Sequence, residues 1–86
     1  MKVIARAKLK KLGNDCLIEK ILAVVEVFDA YFTFAHTKYY GGWCDDKIRE
    51  ERWEWNNKEE AIESFKITVE QNKDYIEEIH YETLDR

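Results

Sequence analysis

The sequence predicts an α+β fold, in which an antiparallel sheet of about three to five strands packs against a C-terminal helix. Three patterns indicate this fold. Apolar and basic side chains alternate from Val3 to Lys10, as they do in a half-buried strand. Residues 31–40 are rich in aromatic residues and Thr, which favour strands. After Asn57, apolar residues recur at the spacing of one helical face.

The segment after the first strand fits two structures. A turn at residues 13–15 separates the segment from that strand. Apolar side chains between residues 16 and 28 fit a helical stripe with Asp15 as its N-cap. The same segment contains five β-branched residues, which favour a strand: Ile18, Ile21, Val24, Val25 and Val27. Both alternatives stay open from the sequence alone.

Two glycines and a charged strand follow. Gly41 and Gly42 end the strand over residues 31–40. Residues 48–55 then alternate again, with charged side chains on both faces. Charges of this kind discourage unwanted strand pairing, so the segment is typical of an edge strand.

The C-terminal helix begins with a recognisable cap. Asn57 and Glu60 form a start like a capping box. Apolar residues at helical spacing continue as far as Ile79, interrupted by Asn72. Residues 75–84 also alternate, so a terminal strand is the alternative to a longer helix.

Length and composition restrict the class of protein. A chain of 86 residues with 45% hydrophobic and 14% aromatic content predicts one folded domain over residues 1–86. No stretch approaches the ~20 uncharged apolar residues of a membrane span. The start MKVIARAKLKKL lacks the apolar core of a signal peptide. We therefore expect a cytoplasmic protein without membrane contact.

Charge is divided unevenly along the chain, whose net charge is −4. Residues 1–40 carry seven basic and four acidic side chains, whereas residues 41–86 carry seven basic and fourteen acidic ones. An acidic half suits a partner with a basic surface. The simpler interpretation is that the basic first strand lies against the acidic C-terminal segment of the same fold.

The sequence contains no combination of residues that suggests catalysis, a metal or a cofactor. Residue types that could bind metal occur at Cys16, His36, Cys44 and His80. No two of them have the short spacing of structural zinc sites, and two cysteines are too few for a disulfide framework. Asp45 and Asp46 favour the neutral thiol of Cys44, which opposes nucleophilic chemistry there. We expect a small buried thiol at each cysteine, no cofactor, no metal and no enzymatic activity.

Aromatic residues are concentrated in the middle of the chain, where nine of the twelve lie within residues 28–55. The candidate core phenylalanines are Phe28, Phe32, Phe34 and Phe65. Tyr and Trp are enriched in binding hot spots. The candidate partner-binding residues are Tyr39, Tyr40, Trp43, Asp45, Asp46, Trp53 and Trp55. Trp43, beside the glycine pair, would be either an exposed anchor or a lid over the sheet.

These observations predict a non-catalytic, small acidic protein that occupies a site on a macromolecular partner. Immunity proteins, antitoxins and phage-encoded inhibitors of bacterial defence share this size and charge. An acidic face can cover a basic nucleic-acid channel by imitating phosphate charge. The expected partner is a protein or nucleoprotein with a basic surface. The sequence does not identify that partner or the oligomeric state, and a homodimer is compatible with it.

The alternative function is a nucleic-acid-binding module. Exposed Tyr and Trp side chains would stack on bases. The phosphate contacts would come from Lys2, Arg6, Lys8, Lys10 and Lys11. The stretch from Tyr31 to Phe65 is similar to the latter part of WGR domains, which bind DNA ends in poly(ADP-ribose) polymerases. The likeness consists of a strand, Gly42-Trp43, another strand and KEEAIESF opening a helix, and it implies DNA contact. Cys44 stands where the naming motif has Gly-Arg.

Overall fold

In a computed structural model of the chain, an antiparallel five-stranded sheet carries a helix on one of its faces. The structure describes residues 1–13, 16–42 and 46–82. The strands are β1 (Lys2–Leu12), β2 (Leu17–Val27), β3 (Ala30–Tyr40), β4 (Lys47–Trp55) and β5 (Ile76–Tyr81). Helix α1 spans Lys58–Gln71, and a short 3-10 turn follows at Lys73–Tyr75. The predicted α+β fold is confirmed.

The strands are arranged in the order β4-β3-β2-β1-β5, and every pair is antiparallel. Strands β1 to β4 therefore form a meander. Helix α1 then carries the chain to the opposite side of the sheet, where β5 pairs with β1. The prediction that β4 is an edge strand is confirmed, and of the two alternatives for the C-terminal segment the terminal strand is the one that forms. The longer helix is wrong, because α1 ends at Gln71 and Asn72, the residue that interrupts the apolar pattern, is its C-cap.

The segment over residues 16–28 is a strand, so the helical alternative is wrong. Strand β2 pairs with β3 without a bulge, from Leu17 opposite Tyr40 to Val27 opposite Ala30. It pairs with β1 along its other edge. These two ladders satisfy its backbone groups on both sides, and the β-branched side chains fit a pleated surface.

The turn between β2 and β3 places Phe28 on the surface rather than in the core. Phe28 has a φ of 56°, which is the left-handed region that a side chain of this size rarely adopts. Its side chain is 92% exposed. The prediction that Phe28 belongs to the core is therefore wrong, because the two-residue turn directs it away from the sheet.

The hydrophobic core lies between α1 and one face of the sheet. Its buried residues are Ile4, Ala5, Ala7, Leu9, Leu22, Val24, Ala35, Ala61 and Phe65. Phe65 is 3% exposed, and its ring meets the Tyr81 ring edge-on with the centroids 5.8 Å apart. The alanines allow the helix to approach the sheet closely. Of the four candidate core phenylalanines, Phe65 alone belongs to this cluster among the described residues, since Phe32 and Phe34 lie on the opposite face.

Helix α1 begins at the cap that the sequence predicts. The Asn57 side-chain oxygen accepts a hydrogen bond from the backbone N–H of Glu60, at 2.9 Å. A cap of this kind contributes about 1 kcal/mol. Glu59 and Glu60 lie in the first turn, where carboxylates interact favourably with the helix dipole.

The basic first strand lies against acidic residues of the C-terminal segment, as the simpler interpretation of the charge pattern predicts. Lys2 pairs with Glu82 at 3.1 Å, and Arg6 pairs with Glu78 at 3.7 Å. The hydrogen bond and the charge of Glu82 raise the pKa of the Lys2 ammonium group. This contribution to stability is present at neutral pH and is lost as the pH rises through the pKa of Lys2 in the folded protein.

Candidate functional site

A groove lies between α1 and the part of the sheet formed by β2, β3 and β4. Its volume is about 440 Å³, which is within the usual range for binding pockets. Small side chains leave this space open: Thr33 and Ala35 on β3, and Ser64 on α1. The lining is completed by Lys20, Leu22, Ala23, Phe34, Glu51, Trp53, Trp55, Phe65 and Thr68.

Two tryptophans form the β4 wall of this groove. Trp53 and Trp55 are two residues apart on β4, so both project from the face that α1 covers. Trp53 is 55% exposed. Trp55 is half-buried, packs against the core, and donates a hydrogen bond from its indole Nε1–H to Thr33 Oγ1 at 2.9 Å. Trp55 is therefore held in place by the fold, whereas Trp53 offers much of its ring to a partner.

Carboxylates border the tryptophans. A second hollow of about 560 Å³ lies along α1 and shares Trp55, Ser64 and Thr68 with the groove. It is otherwise lined by Glu59, Glu60, Glu63 and Ile67. On the β4 side, half-buried Glu51 lies 3.4 Å from the Arg49 guanidinium. We call this continuous surface the acidic groove; its members are Glu51, Trp53, Trp55, Glu59, Glu60, Glu63 and Ile67.

The other predicted partner-binding residues do not join the acidic groove. Tyr39 and Tyr40 are both half-buried, and as neighbours on β3 they point to opposite faces of the sheet. Asp46 is exposed just before β4. Trp43 and Asp45 lie outside the described residues, so the choice between an anchor and a lid at Trp43 stays a prediction. The structure thus brings together two of the seven, Trp53 and Trp55.

Possible metal ligands remain scattered in the part of the chain that the structure describes. Over residues 1–13, 16–42 and 46–82, no group of three or more His, Cys, Asp or Glu side chains could hold a metal ion. His36 instead contacts Glu50, with Nδ1 and Oε2 2.8 Å apart. Cys16 is half-buried and disulfide-bonded. The expectation of a free thiol at Cys16 is therefore wrong, and Cys44 lies outside the described residues.

The acidic residues of α1 are functional candidates that the sequence interpretation missed. Glu59, Glu63 and Ile67 recur at intervals of four residues, which places them along one face of a helix. That spacing was a usable signal. The spacing alone does not show which residues lie beside this helical face, because only the packing of α1 against β4 brings it next to Trp55.

Comparisons with protein-family models, with curated proteins and with solved structures found no match to this chain. Within the described ranges, no helix has the length and apolar character needed to cross a membrane.

Proposed function

We propose that this chain is a non-catalytic acidic binding protein that holds a basic segment of a macromolecular partner in the acidic groove. The observation that carries the proposal is the combination of two tryptophans on one face of β4 with carboxylates on both sides of them. Tryptophan is among the residues most enriched in binding hot spots.

An Arg or Lys side chain of the partner fits this arrangement chemically. A cation over an indole face is attracted by the ring quadrupole, and Trp is the most favourable ring for this contact. The exposed ring of Trp53 supplies such a face. Glu59 and Glu63 of α1, beside Trp55, would neutralise the bound charge, whereas the charge of Glu51 is already matched by Arg49. Ile67, which is 50% exposed, would contact the apolar stem of a long basic side chain.

The charge of the whole molecule supports the same partner chemistry. A net charge of −4 attracts a basic surface over several ångströms and accelerates association. We propose that the protein acts by occupying such a surface, as an inhibitor or immunity protein would, for example over a nucleic-acid channel. This is the type of action found among phage-encoded inhibitors of bacterial defence.

Direct binding of nucleic acid has less support. The basic residues of β1 are largely matched by acids of neighbouring strands: Arg6 pairs with Glu78, and Lys10 lies 3.9 Å from Glu19. The acidic groove would repel phosphates. A nucleic-acid-binding module therefore remains the second candidate, supported by the resemblance of residues 31–65 to WGR domains.

The cytoplasmic location also remains a proposal. The disulfide bond of Cys16 weighs against it, because disulfides are rare in the reducing cytoplasm.

A basic peptide tests the proposed function. The probe is acetyl-Gly-Arg-Gly-Arg-Gly-amide, with the citrulline analogue as its uncharged counterpart, and the measurement is titration calorimetry. The Arg peptide should bind, and its affinity should fall roughly tenfold as salt rises from about 0.01 M to about 1 M, because the Debye length shrinks from about 30 Å to about 3 Å. The citrulline peptide should bind weakly or not at all.

Two double variants locate the binding site. In the first, Glu59→Gln and Glu63→Gln remove two charges from the acidic groove. In the second, Glu70→Gln and Asp74→Asn remove two charges from outside it and serve as the matched control. We expect the first to weaken Arg-peptide binding about tenfold or more and the second about twofold or less. Equal losses in both would mean attraction by net charge alone and would refute the groove.

A further inference from the structure

The sheet face opposite α1, here called the open face, carries an apolar surface at its centre. Directly paired residues of an antiparallel sheet share a face, so the pairing defines its members. Val3 lies beside Val25, which lies beside Phe32. The apolar stripe comprises Val3, Ile21, Ala23, Val25, Phe32 and Phe34.

Within the described ranges, no helix or strand packs over the apolar stripe, since α1 and the core cluster lie on the other side of the sheet. Val3 is 47% exposed and Ile21 is 37% exposed. Phe32 and Phe34, on a central strand, are half-buried by their neighbours. Exposed apolar side chains with a charged rim are typical of interaction surfaces.

Charged residues border the stripe on both sides, and the two borders differ in sign. On β1 the border carries Arg6, Lys8 and Lys10. Arg6 pairs with Glu78 and Lys10 lies 3.9 Å from Glu19, so Lys8 is the member of this border that forms no ion pair among the described residues. On β4 the border contains Glu50 and Glu54, and the intervening residue is Arg52. The Arg52 guanidinium lies 5.6 Å from the centre of the Phe32 ring, so it is turned inward over the stripe. The outward charges of the β4 border are therefore acidic.

We infer that the open face binds the open face of a second copy of this chain, forming a symmetric dimer. A two-fold axis parallel to the strands and between β2 and β3 places β1 of one protomer opposite β4 of its partner. Because this axis keeps residues at the same level along the strands, Lys8 of each protomer lies opposite Glu50 of its partner, and the two apolar stripes pack together. A surface with these properties is self-complementary, as a two-fold interface requires.

The area of the open face is sufficient for a stable dimer. Four strands at about 4.8 Å spacing and nine residues at about 3.3 Å each give roughly 600 Å² on each protomer. The two surfaces together bury roughly 1,200 Å², which is at the lower end of the range for specific interfaces.

The composition of the stripe favours a protein surface over single-stranded nucleic acid. Four of its six members are aliphatic and offer no ring on which a base could stack. Four carboxylates also lie on this face, where they would repel phosphates: Glu19, Glu50, Glu54 and Glu78.

Sedimentation velocity over micromolar to millimolar concentrations tests the dimer. The wild-type chain should sediment at twice its 10.4 kDa mass. Ile21→Glu places a charge in the stripe and should raise the dimer dissociation constant at least about 100-fold. Ile67→Glu is the matched control on α1, since Ile67 is 50% exposed on the other side of the molecule, and it should leave the dimer intact.

Each result decides for or against the dimer. A wild-type chain that stays at 10.4 kDa at every concentration refutes it, and so does an Ile21→Glu variant that still dimerises. If circular dichroism shows that Ile21→Glu is unfolded, Val3→Glu replaces it under the same criteria. If the wild-type chain stays monomeric and binds an oligonucleotide, and the Ile21→Glu variant does not bind it, the open face is a nucleic-acid-binding surface and the dimer is refuted.

Charge exchange tests the orientation of the two protomers. The variant with Lys8→Glu and Lys10→Glu has acidic residues on both borders, and the variant with Glu50→Lys and Glu54→Lys has basic residues on both. Each should be monomeric alone, and an equimolar mixture should form a heterodimer. Failure of the mixture to associate refutes the proposed orientation. The acidic groove lies on the other face, so its peptide binding is measured independently.

Discussion

Replacement of Phe65 by alanine should lower the free energy of unfolding by about 3–5 kcal/mol, the range for a large aromatic residue removed from a core. The Phe65 side chain is 3% exposed and joins α1 to both the sheet and the Tyr81 ring. Its loss removes apolar contacts and leaves a cavity that the β-sheet cannot close. For a domain of this size, such a loss is a large part of the total stability.

Urea denaturation followed by circular dichroism, at one fixed protein concentration, measures this effect. Phe28→Ala is the matched control, because the same side chain is removed from a site that is 92% exposed. We expect the control to change the free energy of unfolding by about 0.5 kcal/mol or less. If the two variants lost similar stability, α1 would not pack on the sheet through Phe65.

Replacement of Trp53 by alanine should weaken binding of the Arg peptide by about 2 kcal/mol or more, which is about 30-fold in the dissociation constant. Trp53 is 55% exposed and forms the outer wall of the acidic groove. Its removal takes away the indole face on which a cation would lie. Because the ring is largely outside the core, the melting temperature should change by only a few degrees.

Trp55→Ala provides the contrast to Trp53→Ala. Trp55 packs against the core and donates its hydrogen bond to Thr33, so its removal should cost roughly 2–3 kcal/mol of stability, less than for a fully buried tryptophan. Calorimetry of binding and thermal melting on both variants separates the roles. A large fall in melting temperature for Trp53→Ala, with peptide affinity unchanged, would make Trp53 a structural residue and remove it from the site.

Most of the fold could be predicted because its strongest patterns agree with its strand pairing. The alternation of apolar and basic residues in β1 corresponds to buried Ala5, Ala7 and Leu9 on one face. The cap at Asn57 marks the start of α1. In these elements, local preference and tertiary packing favour the same structure.

The remaining elements depend on contacts between distant residues. The segment 16–28 has apolar residues on both sides of β2, because one side packs under α1 and the other forms part of the open face. A local pattern of this kind fits a helix equally well. The prediction that Phe32 and Phe34 belong to the core fails for the same reason, because the sequence does not show which side of β3 the helix covers.

The candidate site was only partly predictable. Trp53 and Trp55 could be predicted because they lie on the same face of an otherwise charged edge strand, where two large aromatic side chains indicate a binding surface. The carboxylates of α1 are contributed by a separate element, and they meet the tryptophans only in the folded chain. Tyr39 and Tyr40 looked like a pair in the sequence, yet neighbouring residues of a strand necessarily face opposite ways.

The position of the bound peptide on the protein surface tests the central claim most directly. Titration of ¹⁵N-labelled protein with acetyl-Gly-Arg-Gly-Arg-Gly-amide, followed by two-dimensional NMR, reports on each tryptophan indole N–H and on the backbone amides. The acidic groove predicts shifts at the Trp53 indole and at amides of residues 51–55 and 59–68, with little change at residues 6–10 of β1. Shifts confined to the open face or spread over all acidic residues, with the Trp53 indole unchanged, would contradict the account.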